Sequence, residues 1–162
     1  MKPMVFVPVS PDEARALRSG DELVAGSAYA ATSEFREHFG YPADADEDAD
    51  YAAQVFASLR CLLEGRDRCV LAVEVDGLPA SEGAIEFGEV AGPVVRWQKV
   101  RAIFVDDTEG RPEIRAYAGT VAGRSLAEVW SEDAAVRLTL DHDLLWFDPT
   151  ELDQALVGLD DR

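Results

Sequence analysis

Residues 69–75, CVLAVEV, form a near-continuous apolar run interrupted only by Glu74. A strand with one wet face alternates apolar and polar residues, so an unbroken run suits a central strand covered on both faces. Upstream of it, Tyr51, Val55, Leu59 and Leu62 form one stripe at the helical period, with Ala52, Phe56 and Leu63 beside it and Gly65 as the stop. Downstream, 100–105 (VRAIFV) reads as a second strand ending at Asp106-Asp107. Strand and helix patterns alternating over this distance predict an α/β (α+β) fold. A mixed sheet of four to six strands is expected, with 69–75 and 100–105 central and helices against it. A ferredoxin-like α+β sandwich is the alternative.

The same grammar runs through the rest of the chain. Residues 4–9 are apolar and β-branched, and Ser10-Pro11-Asp12-Glu13 follows as a capping box with proline at the first helical position. That helix stops at Gly20. A short strand at 27–32 leads into a helix at 33–39, closed by Gly40 and Pro42. The acidic stretch DADEDAD, 44–50, precedes the helix containing Tyr51. Strands are expected at 85–90 and 94–97, and a proline-started helix at 112–122. A short apolar segment at 144–147 leads into a last helix capped by Asp148. No element is assigned to 124–140. Nothing divides the chain, so 1–162 is expected to be one globular domain, and at this length it buries about 70% of its surface without staples.

Charge excludes more than it names. The chain carries 32 Asp and Glu against 15 Lys and Arg, a formal net charge of −17. A field of that sign repels phosphodiester backbones and anionic lipid, so no direct nucleic acid and no membrane partner are expected, and a basic protein partner is. All the basic residues but Lys2 and Lys99 are arginine, which fits GC-rich coding better than salt adaptation. Cys61 and Cys69 lie in an apolar helix pattern and an apolar strand, and read as buried free thiols. No apolar window approaches the ~18 residues of a membrane helix. The N-terminal apolar run is short and broken by Pro8, so a cytoplasmic location is expected.

Chemical motifs are sparse. Asp44, Asp46, Asp48 and Asp50 resemble a calcium loop, but positions six and twelve hold Ala49 and Val55 where such loops need glycine and glutamate. Asp141-His142-Asp143, taken as extended, sends its side chains to opposite faces. Glu34, Glu37 and His38 share a helix but lack the second histidine of a zinc site. Arg96-Trp97-Gln98-Lys99-Val100-Arg101 reads as a solvated face paired to glutamates. Ligands of open α/β sheets gather at carboxyl strand ends, so Asp76, Asp106 and Asp107 are the metal-site candidates, and they require two carboxylates close enough to share a cation. No nucleophile elbow, Walker loop or dinucleotide fingerprint is present. No catalytic residue and no cofactor is assigned.

Three blocks carry a resemblance: VFVPVSPDEARALRSGDELVAGSAYAATSEFRE near the start, DYAAQVFASLRCLL in the middle, and HDLLWFDPTEL near the end, with VRAIFVDD between the last two. In this order they resemble a family of uncharacterised proteins found mainly in actinobacteria, from about residue 5 to 156. The resemblance implies one compact α/β domain and brings no catalytic residues. Function is therefore unknown at this stage. The leading expectation is a non-enzymatic, acidic protein-binding or regulatory module. A metal-dependent enzyme with carboxylates at strand ends, or a nucleic-acid mimic, are the alternatives.

Overall fold

A computed structural model describes residues 2–159. Among the described residues seven helices surround a six-stranded sheet in mixed α+β arrangement. In chain order the elements begin with strand β1 (Met4–Pro8), helix α1 (Pro11–Arg18), strands β2 (Leu23–Val24) and β3 (Ala28–Tyr29), and helices α2 (Ser33–Phe39) and α3 (Asp46–Leu63). Strands β4 (Cys69–Glu74), β5 (Glu89–Val90), β6 (Val94–Val95) and β7 (Val100–Val105) follow. Helices α4 (Arg111–Val121), α5 (Leu126–Trp130) and α6 (Asp133–Asp141) come next, then strand β8 (Leu145–Phe147) and helix α7 (Leu152–Ala155). The main sheet runs β5-β3-β1-β4-β7-β8, and β2 pairs with β6 in a separate ribbon. Every pairing is antiparallel.

The unbroken run at 69–75 is explained by what covers it. Val70 and Ala72 face one apolar layer with Phe35, Phe56, Leu62, Ile114 and Leu138, from α2, α3, α4 and α6. Cys69, Leu71 and Val73 face a second layer with Leu17 of α1 and Leu152 and Leu156 at α7. Helices on both faces give three layers, not the two of a ferredoxin-like sandwich. The register of β4 against β7 shifts between Ala72 and Val73, skipping Arg101. This bulge turns Val100 to the same layer as Ile103 and Val105, and leaves Arg101 at the surface with its Nε 2.8 Å from Glu74 Oε2.

Local signals were met closely where they were self-contained. The Ser10 hydroxyl accepts from the Glu13 amide at 3.1 Å, and Glu13 Oε1 accepts from the Ser10 amide at 2.9 Å. Helix α2 and strand β7 have the expected bounds. Four expectations are corrected. The acidic stretch does not precede α3 but supplies its first turn, Asp46, Glu47 and Asp48, where carboxylates oppose the helix dipole. Residues 85–90 open with a 3-10 turn, Ile85–Phe87, before the two residues of β5. Residues 94–97 likewise yield only the two residues of β6, and Trp97–Lys99 is a 3-10 turn. Finally, α5 and α6 occupy a stretch assigned no element, so His142 caps a helix and does not sit in an extended segment.

Candidate functional site

The antiparallel pairing decides the fate of the strand-end carboxylates. Cys69 pairs with Val105 and Val73 with Val100, so the carboxyl ends of β4 and β7 lie at opposite ends of the sheet. Asp76 and Asp106 are thereby separated by roughly 25 Å, eight residues of strand rise. Asp106 is fully buried against Arg68, its Oδ1 2.5 Å from the Nε and its Oδ2 accepting from the backbone amide at 2.9 Å. Burial pushes its carboxyl above the usual range, and the Arg68 guanidinium and amide pull it back. Asp76 is exposed and bonded to Lys2 Nζ at 2.8 Å, which holds it below its ordinary value. Asp107 accepts from the Glu109 amide at 3.2 Å. Among the described residues no three His, Cys, Asp or Glu side chains are grouped to hold a metal ion.

The other sequence candidates also disperse. His142 Nε2 lies 2.8 Å from Glu113 Oε2, while its carbonyl accepts from Arg68 Nη2 at 2.8 Å. Asp143 turns the other way and accepts from the Tyr51 hydroxyl at 2.8 Å. Asp46 pairs with Arg36 at 2.7 Å. Arg96 and Arg101 pair with Glu22 and Glu74 at 3.2 and 2.8 Å. Cys61 and Cys69 are free and buried; burial pushes the Cys61 thiol up to about 11, and raises that of Cys69 as well.

What the fold does assemble is an apolar groove between α3 and α6. Its cavity of ≈ 260 Å³ is lined by Phe39, Tyr41, Tyr51, Val55, Trp130 and Leu140, with Phe56 beneath. The floor is aromatic: the Phe56 ring meets Trp130 edge-on at 4.9 Å and stacks on Phe39 at 5.4 Å. The rim is open, with Leu140 74% and Tyr51 50% exposed. The apolar stripe read from α3 is wider than the face its core contact uses, since Leu59 and Leu62 are buried but Tyr51 and Val55 are not. Glu47 and Asp48, both exposed, continue this face one turn toward the helix start. Asp143 sits at the Tyr51 hydroxyl, and Asp133 and Arg137 stand exposed on α6. The groove is therefore aromatic at its centre and acidic around its edge. Its α3 half was visible in the periodicity; its α6 half was hidden with the helix.

A second, polar cleft of ≈ 640 Å³ opens where β1 ends and β3 begins. Arg60, Glu64, Arg66, Glu13 and Glu89 converge on it from four segments, with Ser10 and Ser27. No run of sequence could have announced it, because its lining is gathered only by the fold.

Among the described residues no helix is long and apolar enough to cross a membrane. No curated protein and no solved structure matches the chain. The model of one family covers residues 4–156, nearly the whole chain and all its strands, and on that evidence the protein belongs to DUF6912, a family of unknown function.

Proposed function

We propose that this protein is a binding module that seats a basic amphipathic helix of a partner protein in the groove between α3 and α6. The observation that carries the reading is an aromatic-floored groove whose apolar rim, Tyr51 and Leu140, is left open, with Asp143 on the Tyr51 hydroxyl and Glu47 and Asp48 exposed one turn away. Soluble proteins rarely leave such a patch without a partner, and a helix laid in a groove is a recurrent mode of capture. The formal charge of −17 selects the partner's sign. Attraction of a basic segment would raise the association rate and weaken with salt, while apolar anchors would set the residence time.

The competing readings lack a supporting contact. A carboxylate metal site would need two of Asp76, Asp106 and Asp107 together; antiparallel pairing sets Asp76 at the opposite end from the other two, Asp106 is enclosed against Arg68, and Asp107 turns to the Glu109 amide. Mimicry of nucleic acid would need rows of free carboxylates, yet Asp46 is bonded to Arg36, and Asp50 is half-buried near the same guanidinium.

The test uses a labelled Leu/Lys peptide of helical periodicity and a scrambled peptide of equal composition, followed by fluorescence anisotropy. The periodic peptide is expected to bind, the scrambled one at least about tenfold more weakly. Leu140→Asp should lose about tenfold or more for the periodic peptide alone, the loss typical of an anchor site. Equal binding of both peptides, or indifference to Leu140→Asp, would show bare charge attraction and overturn the reading.

A further inference from the structure

The polar cleft shares no residue with the groove, and its charges are arranged, not merely numerous. Tyr29 is fully buried in β3, and its hydroxyl accepts from Arg60 Nε at 2.9 Å. This bond fixes the guanidinium plane at the cleft wall. Arg60 Nη2 then lies 3.6 Å from Glu89 Oε1, which also accepts from the Ala84 amide at 2.9 Å. Glu64, whose charge acts on both Arg60 and Arg66, bonds to Arg66 Nη2 at 2.5 Å. Arg66 Nη1 is 3.9 Å from Glu13 Oε1, too far to donate, and has no hydrogen-bond partner among the described residues. The order across the wall is Glu89, Arg60, Glu64, Arg66, Glu13. Signs alternate at every step.

Such a wall discriminates by charge pattern. A simple anion meets two guanidiniums but three carboxylates, on a protein already strongly negative. A simple cation meets three carboxylates but must pass two guanidiniums. A molecule carrying both signs a few ångströms apart finds complementary partners for each, and like-charge contact is avoided. Arg60 Nη1 has no partner among the described residues and is the donor left to give, while Arg66 Nη1 is unsatisfied but shielded, so Arg66 acts on a ligand chiefly through its charge. The Ser27 hydroxyl adds a neutral donor and acceptor to the lining. At ≈ 640 Å³ the cleft is within the range of small-molecule sites.

We infer that this cleft binds a small zwitterion of the amino-acid class, its carboxylate on Arg60 and Arg66 and its ammonium on Glu64 and Glu13. The partners are side chains from the end of α3 with the turn after it and from the start of α1, so occupancy ties these two segments together at one end of the sheet.

Thermal unfolding of the intact protein with each of the twenty free amino acids, followed by calorimetric titration, tests this. Acetate, methylammonium and inorganic phosphate serve as single-charge probes. One or more amino acids should raise Tm by about 5 °C or more at a hundredfold excess over Kd, and the single-charge probes should not. Glu64→Gln, at a half-exposed position, and Arg60→Gln should each cut the affinity by about tenfold or more, with circular dichroism reporting the fold. Leu140→Asp, outside the cleft, should bind as the unaltered protein does, which separates this result from any failure of the groove. No shift with any amino acid overturns the inference. So does an equal shift with acetate or phosphate alone, or full binding by Glu64→Gln.

Discussion

Replacing Asp106 by alanine tests the most enclosed charge pair in the molecule. Arg68 and Asp106 side chains are 2% and 0% exposed, and the carboxylate accepts both the Arg68 Nε–H and the Arg68 amide N–H. Alanine strands a buried guanidinium and a buried backbone donor together. Removing one partner of a buried pair costs about 3–5 kcal/mol, against a total stability on the order of 10 kcal/mol. For a chain of this size that is a fall in Tm of about 6–20 °C. Guanidinium titration of Asp106→Ala followed by circular dichroism gives the value. The double variant Arg68→Met with Asp106→Val removes both charges with a smaller change of volume, and should recover at least about 2 kcal/mol of the loss. It will not recover all of it, because the His142 carbonyl loses its Arg68 donor. A loss below about 1 kcal/mol for Asp106→Ala, or a double variant as unstable as the two single ones added, would refute the argument.

Four further outcomes follow from local geometry. Burial pushes the Tyr29 phenol up to about 12 against the pull of Arg60, so above pH 10 the unfolded state ionises first and stability falls as pH rises. By pH 12 the loss is about 2 kcal/mol, and Tyr29→Phe should flatten that limb of the stability profile by the same amount. The Cys61 and Cys69 thiols should both stay silent to an aromatic disulfide reagent in the native protein and react once guanidinium unfolds it. Gly92→Ala would set a Cβ 1.7 Å from the Ala25 carbonyl oxygen and should cost more than about 2 kcal/mol. Gly119→Ala, inside α4 with nothing within 4 Å, should instead gain about 0.5–1 kcal/mol in the same denaturant titration.

These contrasts also show which parts of the molecule the chain spells out locally. Helix α2, strand β7 and the capping box at Ser10 are encoded within a few residues, and reading them needed no knowledge of neighbours. Helices α5 and α6 carried a usable signal, since the Ser125 hydroxyl caps the Glu128 amide, but Leu126, Val129, Ala135 and Leu138 are split by a turn into pieces too short for a clear period. Strand direction has no local signature: a run covered on both faces suits a parallel sheet, and here helices cover an antiparallel one. That single ambiguity left Asp76 and Asp106 free to share one end of the sheet, and they lie at opposite ends. The groove was half legible, because Tyr51 and Val55 extended an apolar stripe beyond what the core could use. The polar cleft was not legible at all, because Arg60 and Glu89 are distant in sequence and meet only across β3.

Strand order has a further consequence, for a chain emerging from the ribosome. Strand β1 is made well before its central partner, since Phe6 pairs with Ala72, about 65 residues later. At ordinary rates of synthesis that is a wait on the order of 3–13 s. During it Val5, Val7 and Val9, all fully buried in the finished fold, have no central strand to join. The carboxylates that open α3 are made within that interval. Like charge on neighbouring nascent chains opposes association of the waiting strands.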